Sequence, residues 1–234
     1  MSRLVLFLAL MVPGLASAQL YGIPGDSPLT QTFEFKIGPY TPDIDSEGGS
    51  AYDDIFGDEG MVLFRIEYAY VLWRGVGGMV TLGGEVGYGS VTGNALDQET
   101  GSEGVDETSL NMVPLGLTAG YYLDTWGDIV PLVPYFKLGL DYTIWWATNG
   151  VGDTSSFGGS DAAGDTWGLH TELGIRIPLD FFAPKMAQAF DSEVGVNNSY
   201  LFAMWYYGWD DDFGSDSSWQ LGDSTALFGL AFDF

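Results

Sequence analysis

The chain has 234 residues, with 7 lysines and arginines against 32 aspartates and glutamates and a formal net charge of −25. That imbalance argues against a nucleic-acid partner, because neutralising phosphates requires lysine and arginine. Cysteine is absent, which excludes a disulfide framework, a thiolate metal site and a lipid-modified cysteine. Aromatics at 15%, hydrophobics at 46% and 34 glycines favour a folded, strand- and turn-rich domain over disorder.

The first residues predict a targeting segment. Arg3 supplies a positive charge, residues 4–12 an apolar core, and Ala16-Ser17-Ala18 a small-residue cleavage site before Gln19. This order fits a secretory signal peptide over residues 1–18 and is too short for a spanning helix. Residues 19–234 are expected to form one domain, in which no apolar run approaches the ~20 residues a spanning helix needs.

A first strand is expected over residues 30–40, with Phe33, Phe35 and Ile37 on one face and Glu34, Lys36 and Gly38 on the other. A carboxylate-rich stretch follows to Gly60. The second strand, residues 61–73, sets Phe64, Ile66, Tyr68 and Tyr70 against Arg65, Glu67 and Ala69. The Gly-rich link at 74–78 suits a tight hairpin. In the third strand, to about residue 90, Val80, Leu82, Val86 and Tyr88 oppose Thr81 and Glu85, and an acidic stretch runs on to Thr108. The fourth, residues 110–123, has Val113, Leu115, Leu117, Ala119 and Tyr121 on one face. After a short turn, the fifth alternates Phe136, Leu138, Leu140, Tyr142 and Ile144 with Lys137, Gly139, Asp141 and Thr143. A Gly/Ser/Asp stretch over 149–165 separates it from the sixth, residues 166–181, where Trp167, Leu169, Leu173 and Ile175 oppose His170, Glu172 and Arg176. Residues 182–198 have room for one or two helical turns from Pro184. The seventh strand, 199–209, carries aromatics on both faces, and an acidic stretch over 210–222 leads into the closing strand.

Eight strands of about 10–16 residues exceed the usual globular strand of five or six and suit a tilted crossing of a bilayer, which needs roughly 9–11. The connections after odd strands are long and acidic. Of those after even strands two are short, and the third is long but less acidic. Outer-membrane barrels share this asymmetry and even strand number, and without a spanning helix only a closed barrel satisfies the backbone in lipid. The expected fold is all-β: an eight-stranded antiparallel transmembrane β-barrel, an up-and-down meander with long acidic extracellular loops. Aromatics near strand ends fit interfacial girdles, with Trp73, Trp126, Phe181, Phe182 and Phe234 on the periplasmic side. Trp145, Trp146, Trp167, Tyr207, Trp209 and Trp219 are expected on the outer side.

The closing residues, D-S-T-A-L-F-G-L-A-F-D-F, place Ala226, Phe228, Leu230, Phe232 and Phe234 on one face. Gly229, Phe232 and Phe234 resemble the C-terminal signature by which the assembly machinery recognises outer-membrane barrels. The segments F-E-F-K-I-G-P-Y-T-P-D-I-D-S-E (33–47) and D-S-E-V-G-V-N-N-S-Y-L-F (191–202) resemble an uncharacterised myxobacterial outer-membrane β-barrel family of small OmpA-like architecture. The resemblance implies the bacterial outer membrane as location and carries no activity.

Glu34, Lys36, Arg65, Glu67, Glu85, Lys137, Asp141, His170, Glu172 and Arg176 share the parity opposite the apolar faces. The interior of an eight-stranded barrel is just wide enough for side chains to fill it, so these groups are expected to form a salt-bridged network that closes the lumen. A narrow or gated polar passage for ions, or for small apolar molecules, is the alternative. His170 and Glu172 also raise a lipid-modifying hydrolase, but no serine motif accompanies them, and no catalytic residue is assigned. Asp43, Asp45, Glu47 and Asp54 follow EF-hand spacing in part, making weak Ca2+ or Mg2+ binding in the loops a candidate beside a solvated, repulsive surface. No other cofactor is expected. Expected partners are membrane lipids, lipopolysaccharide and the barrel-assembly machinery. No protein partner can be named, and the role read from the chain is structural or interactive, through its acidic loops.

Overall fold

The computed structural model describes residues 29–47, 50–75, 77–96, 103–124, 131–157, 160–180, 182, 195–215 and 218–234. The expected signal peptide, the helical turns from Pro184, and the girdle residues Trp126 and Phe181 lie outside the described residues.

Eight strands form the wall: β1 (Gln31–Tyr40), β2 (Met61–Gly75), β3 (Gly78–Leu96), β4 (Glu103–Tyr122), β5 (Val133–Asn149), β6 (Ala163–Pro178), β7 (Asn198–Asp210) and β8 (Ser224–Asp233). Each pairs antiparallel with its neighbours in sequence, and β1 pairs with β8, so the sheet is a closed barrel. Closure sets Phe33 opposite Phe232 and Ile37 opposite Phe228, which leaves no unpaired edge. The amides of Thr30 and Gln31 donate to the Phe234 carbonyl at 2.6 and 3.1 Å and complete the seam.

The period-2 pattern explains which way each strand faces. Phe64, Ile66, Leu82, Leu138, Leu173 and Phe228 point outward and stay exposed, whereas Glu34, Arg65, Lys137 and Glu172 point inward and are buried. The exposed apolar side chains form a belt round the outside of the barrel, and the charges are gathered within it.

The structure departs from the sequence expectations in three places. First, the acidic stretch between the third and fourth strands is mostly strand: β3 runs to Leu96 and β4 starts at Glu103, with Asn94 opposite Glu107. Ladder hydrogen bonds with a neighbouring strand override the low strand propensity of Gly, Asn and Glu there. Second, Trp145 takes inward parity instead of joining an outer girdle. It stacks on Trp219 with centroids 4.3 Å apart and packs against the interior cluster. Third, the connection between β1 and β2 is not a free loop. It contains a 3-10 turn (Ile44–Glu47) and one helical turn, α1 (Asp53–Phe56), which tuck Ile44, Tyr52 and Phe56 into the barrel mouth.

The core lies inside the barrel in three layers. At the long-loop end sit Tyr40, Met61, Leu63, Met112, Leu221 and Leu227, and at the short-turn end sit Tyr122, Tyr135, Tyr200, Phe202 and Ala231. Between these apolar layers lie the charges.

Candidate functional site

All ten charged residues expected on the inner face are buried, the most exposed being Glu85 at 7%. Neighbouring strands bring them into one network. Lys36 Nζ lies 2.6 Å from Glu67, 2.9 Å from Glu85 and 2.5 Å from Glu172, while Lys137 Nζ lies 2.8 Å from Glu34, 2.6 Å from Glu67 and 3.4 Å from Glu172. Two ammonium groups thus share the carboxylates of β1, β2 and β6.

An arginine closes each end. Towards the short turns, Arg176 donates to Glu34, to the Tyr122 hydroxyl at 3.0 Å, to Thr32 at 3.1 Å and to Asp233 at 3.3 Å. Its guanidinium also lies 4.1 Å from the Tyr122 ring centroid. Towards the loops, Arg65 donates to Glu85 and to the Tyr206 hydroxyl at 3.0 Å, and stacks 4.7 Å over that ring. Planar guanidinium groups suit such combined stacking and hydrogen bonding.

Sequence reading did not place two carboxylates in this network. Asp210, assigned to the fourth acidic loop, ends β7 facing inward, fully buried, and accepts a 3.3 Å hydrogen bond from Thr143. Asp233, on the face of β8 opposite Phe228 and Phe232, is also buried and pairs with Arg176. Extending the parity of the seventh strand by one residue finds Asp210, and Asp233 follows from the parity of the closing strand itself. The apolar layers follow the same rule, since Leu63, Met61, Leu227 and Ala231 carry the parity of the charges.

His170 and Glu172 both point inward from β6, away from the exposed apolar surface. His170 Nδ1 lies 2.5 Å from Asp141 Oδ2, and its ring covers Gly139, where an added Cβ would come within 2.0 Å of Cε1. Glycine is needed there so that the imidazole can lie flat on β5.

Of the loop carboxylates with EF-hand spacing, Asp45 and Asp54 are engaged separately. Both oxygens of Asp45 accept backbone amides at the start of α1, from Tyr52 at 3.0 Å and Asp53 at 2.9 Å, an N-terminal cap. Asp54 accepts the Ser50 hydroxyl at 2.9 Å, and the Asp43 carbonyl accepts Ser46. Glu47 ends the 3-10 turn, and Gly48 lies outside the described residues. Among the described residues, the acidic or His groups close enough to share an ion are instead interior: Glu85 with Asp141 and His170, and Glu34 with Glu67 and Glu172.

A cleft of about 560 Å³ opens at the mouth between the β1–β2 and β7–β8 connections, lined by Asp43, Asp53, Asp223, Tyr52 and Trp209. Its walls are joined where the Asp43 amide donates to the Gly222 carbonyl and the Thr41 amide to Asp223. Burial pushes the Tyr52 hydroxyl up to about 12 while it donates to the Glu59 carbonyl. Burial also raises the Asp223 carboxyl above its usual range, against the opposing pull of the Thr41 and Ser224 amides.

Of the assembly-signal residues, Phe232 and Phe234 are half-buried on the outward face. Gly229 faces inward where β8 meets β1, and a Cβ there would lie 1.8 Å from the Phe35 carbonyl and 2.5 Å from the Phe202 ring. Its lack of a side chain is a packing requirement of closure.

No family model and no curated protein matches the chain. Among solved structures it is similar to the Neisserial surface protein A, at 15% identity and a TM-score of 0.46 over 88% of this chain and 96% of that one. It is also similar to the N-terminal β-barrel domain of Pseudomonas aeruginosa OprF, at 16% identity and a TM-score of 0.41 over 88% and 96%. A third is the attachment invasion locus protein of Yersinia pestis, at 11% identity and a TM-score of 0.43 over 88% and 97%. These neighbours are small outer-membrane β-barrels of bacteria, and this chain is itself a closed, eight-stranded, all-antiparallel β-barrel.

Proposed function

We propose that this protein resides in the bacterial outer membrane as a non-conducting barrel, and that it acts by contact through its acidic extracellular mouth. The observation that carries the first part is the interior. Lys36, Arg65, Lys137 and Arg176 are each engaged by carboxylates at no more than 2% exposure, between two apolar layers. An ion entering this space would have to displace buried pairs, which is costly in a low-dielectric core. The cleft lined by Asp43, Asp53 and Asp223 supports the second part, because carboxylates beside Tyr52 and Trp209 suit a cationic contact.

Lipids and lipopolysaccharide would surround the belt of Phe64, Leu138 and Phe228, and the assembly machinery would engage Gly229, Phe232 and Phe234. A catalytic role for His170 and Glu172 is disfavoured by their burial away from lipid. Single-channel recording in planar bilayers tests the closed interior. A flat baseline is expected, and reproducible unitary steps would establish a passage instead.

A further inference from the structure

We propose that Asn149 is a self-modification site: the amide nitrogen of Gly150 attacks the Asn149 side-chain carbonyl, and the asparagine is converted through a cyclic imide into aspartate and isoaspartate. Asn149-Gly150 is the one Asn-Gly pair in the chain. It lies where β5 ends, at the long-loop end of the barrel, and both residues are exposed. Two backbone amides aim at the atom that becomes the oxyanion. Asn149 Oδ1 accepts the Asp153 amide at 3.0 Å and the Val151 amide at 3.2 Å. Preorganised donors of this kind stabilise the charge that develops on a carbonyl oxygen under attack. The attacking nitrogen is not tied up, since among the described residues the Gly150 amide donates no hydrogen bond.

Packing does not call for a glycine at this position. The φ of Gly150 lies outside the left-handed region, and an added Cβ would meet nothing closer than Glu107 at 3.7 Å, an ordinary contact. Gly139 and Gly229 differ, because a Cβ there would collide with His170 and with the Phe35 carbonyl. What the missing side chain does at Gly150 is leave the nitrogen open to the Asn149 side-chain carbon. The approach needs rotation about the Asn149 Cα–C bond, which gives up the 2.8 Å hydrogen bond from the Gly152 amide to the Asn149 carbonyl. Local opening of an exposed turn supplies that at little cost.

No oxidant or reductant is required. Solvent base removes the Gly150 amide proton, the new N–Cγ bond forms, and the side-chain nitrogen leaves as ammonia with a proton returned by solvent. Water then opens the imide at either carbonyl. Both products add a negative charge at the barrel mouth, and the isoaspartyl form also inserts a methylene into the backbone where Asn149 pairs with Thr108.

The experiment incubates the full chain, refolded in detergent, at mildly alkaline pH and maps its peptides by mass spectrometry, with electron-transfer fragmentation to separate aspartate from isoaspartate. The same chain unfolded in guanidinium chloride is the reference, and heat-modifiable gel mobility confirms the folded samples. Asn149 is expected to convert about tenfold faster in the folded barrel, the effect of one or two net hydrogen bonds on the transition state, and ahead of the chain's other asparagines. Gly150→Ala, which the turn accommodates, should slow conversion by at least as much. A folded rate at or below the unfolded one, or a rate unchanged in G150A, would overturn the site, as would earlier conversion of another asparagine. Should G150A fail to fold, the folded-to-unfolded ratio of the wild type decides alone.

Discussion

Replacing Lys137 with methionine keeps most of the side-chain volume and removes one buried ammonium. In the intact barrel that group touches Glu34 at 2.8 Å, Glu67 at 2.6 Å and Glu172 at 3.4 Å. Taking away one partner of a buried pair costs ~3–5 kcal/mol, because the remaining charge is left desolvated. None of the three carboxylates is stripped bare here. Glu34 retains Arg176 and the Tyr122 hydroxyl, Glu67 retains Lys36 and Thr118, and Glu172 retains Lys36. The lower end therefore applies, about 3 kcal/mol, or roughly two decades in the folding equilibrium. Urea titration of the barrel refolded in lipid vesicles, followed by tryptophan fluorescence and heat-modifiable gel mobility, measures it. The double variant K137M/E67Q should recover part of the loss, since it removes one charge of each sign. A loss below ~1 kcal/mol, typical of exposed pairs, with unchanged gel mobility would refute a desolvated network.

Three further outcomes are expected. Leu138→Arg puts a cation on the outward face and should cost ~2–4 kcal/mol if that position sits near the bilayer midplane; a neutral effect on folding in vesicles would remove the lipid-facing assignment. Gly229→Ala should lower the yield of closed barrel on refolding in detergent without any assembly factor, because the Cβ meets the Phe35 carbonyl. A wild-type yield there, with a defect only in cells, would make Gly229 a recognition residue alone. The Asp223 carboxyl should titrate by carbon-13 NMR with a midpoint above the ordinary ~3.9, as its burial dictates. Since burial raises the native value, the contribution of this carboxyl to folding stability is fully present below the unfolded value and is lost as pH rises through the native one. A midpoint at or below ~3.9 would contradict that sign.

How much of this could be read from the chain depends on periodicity. Alternation is a local property, so Phe64/Arg65/Ile66/Glu67 and Phe136/Lys137/Leu138 declare their two faces without knowledge of their neighbours. The extension of β3 to Leu96 and the start of β4 at Glu103 were not readable. Glycine, asparagine and glutamate have no strand preference of their own there and are held by cross-strand pairing. Asp210 shows the same limit, because beside Asp211 and Asp212 it resembles loop until Gly168 and Leu169 pair with the end of β7.

The sequence by itself determined the strand number, the parity of each strand and the acidic character of the connections, because each is written in consecutive residues. Only the tertiary structure decided which charges meet. Lys36 and Glu172 are 136 positions apart, and Arg176 and Glu34 are 142 apart; they touch because closure brings β1 and β6 across one narrow interior. The fate of the first loop was decided in the same way. Its acidic composition suggested a solvated surface, but the open mouth of the barrel offered Ile44, Tyr52 and Phe56 a place to bury, and burial of apolar surface outweighed the cost of ordering the loop.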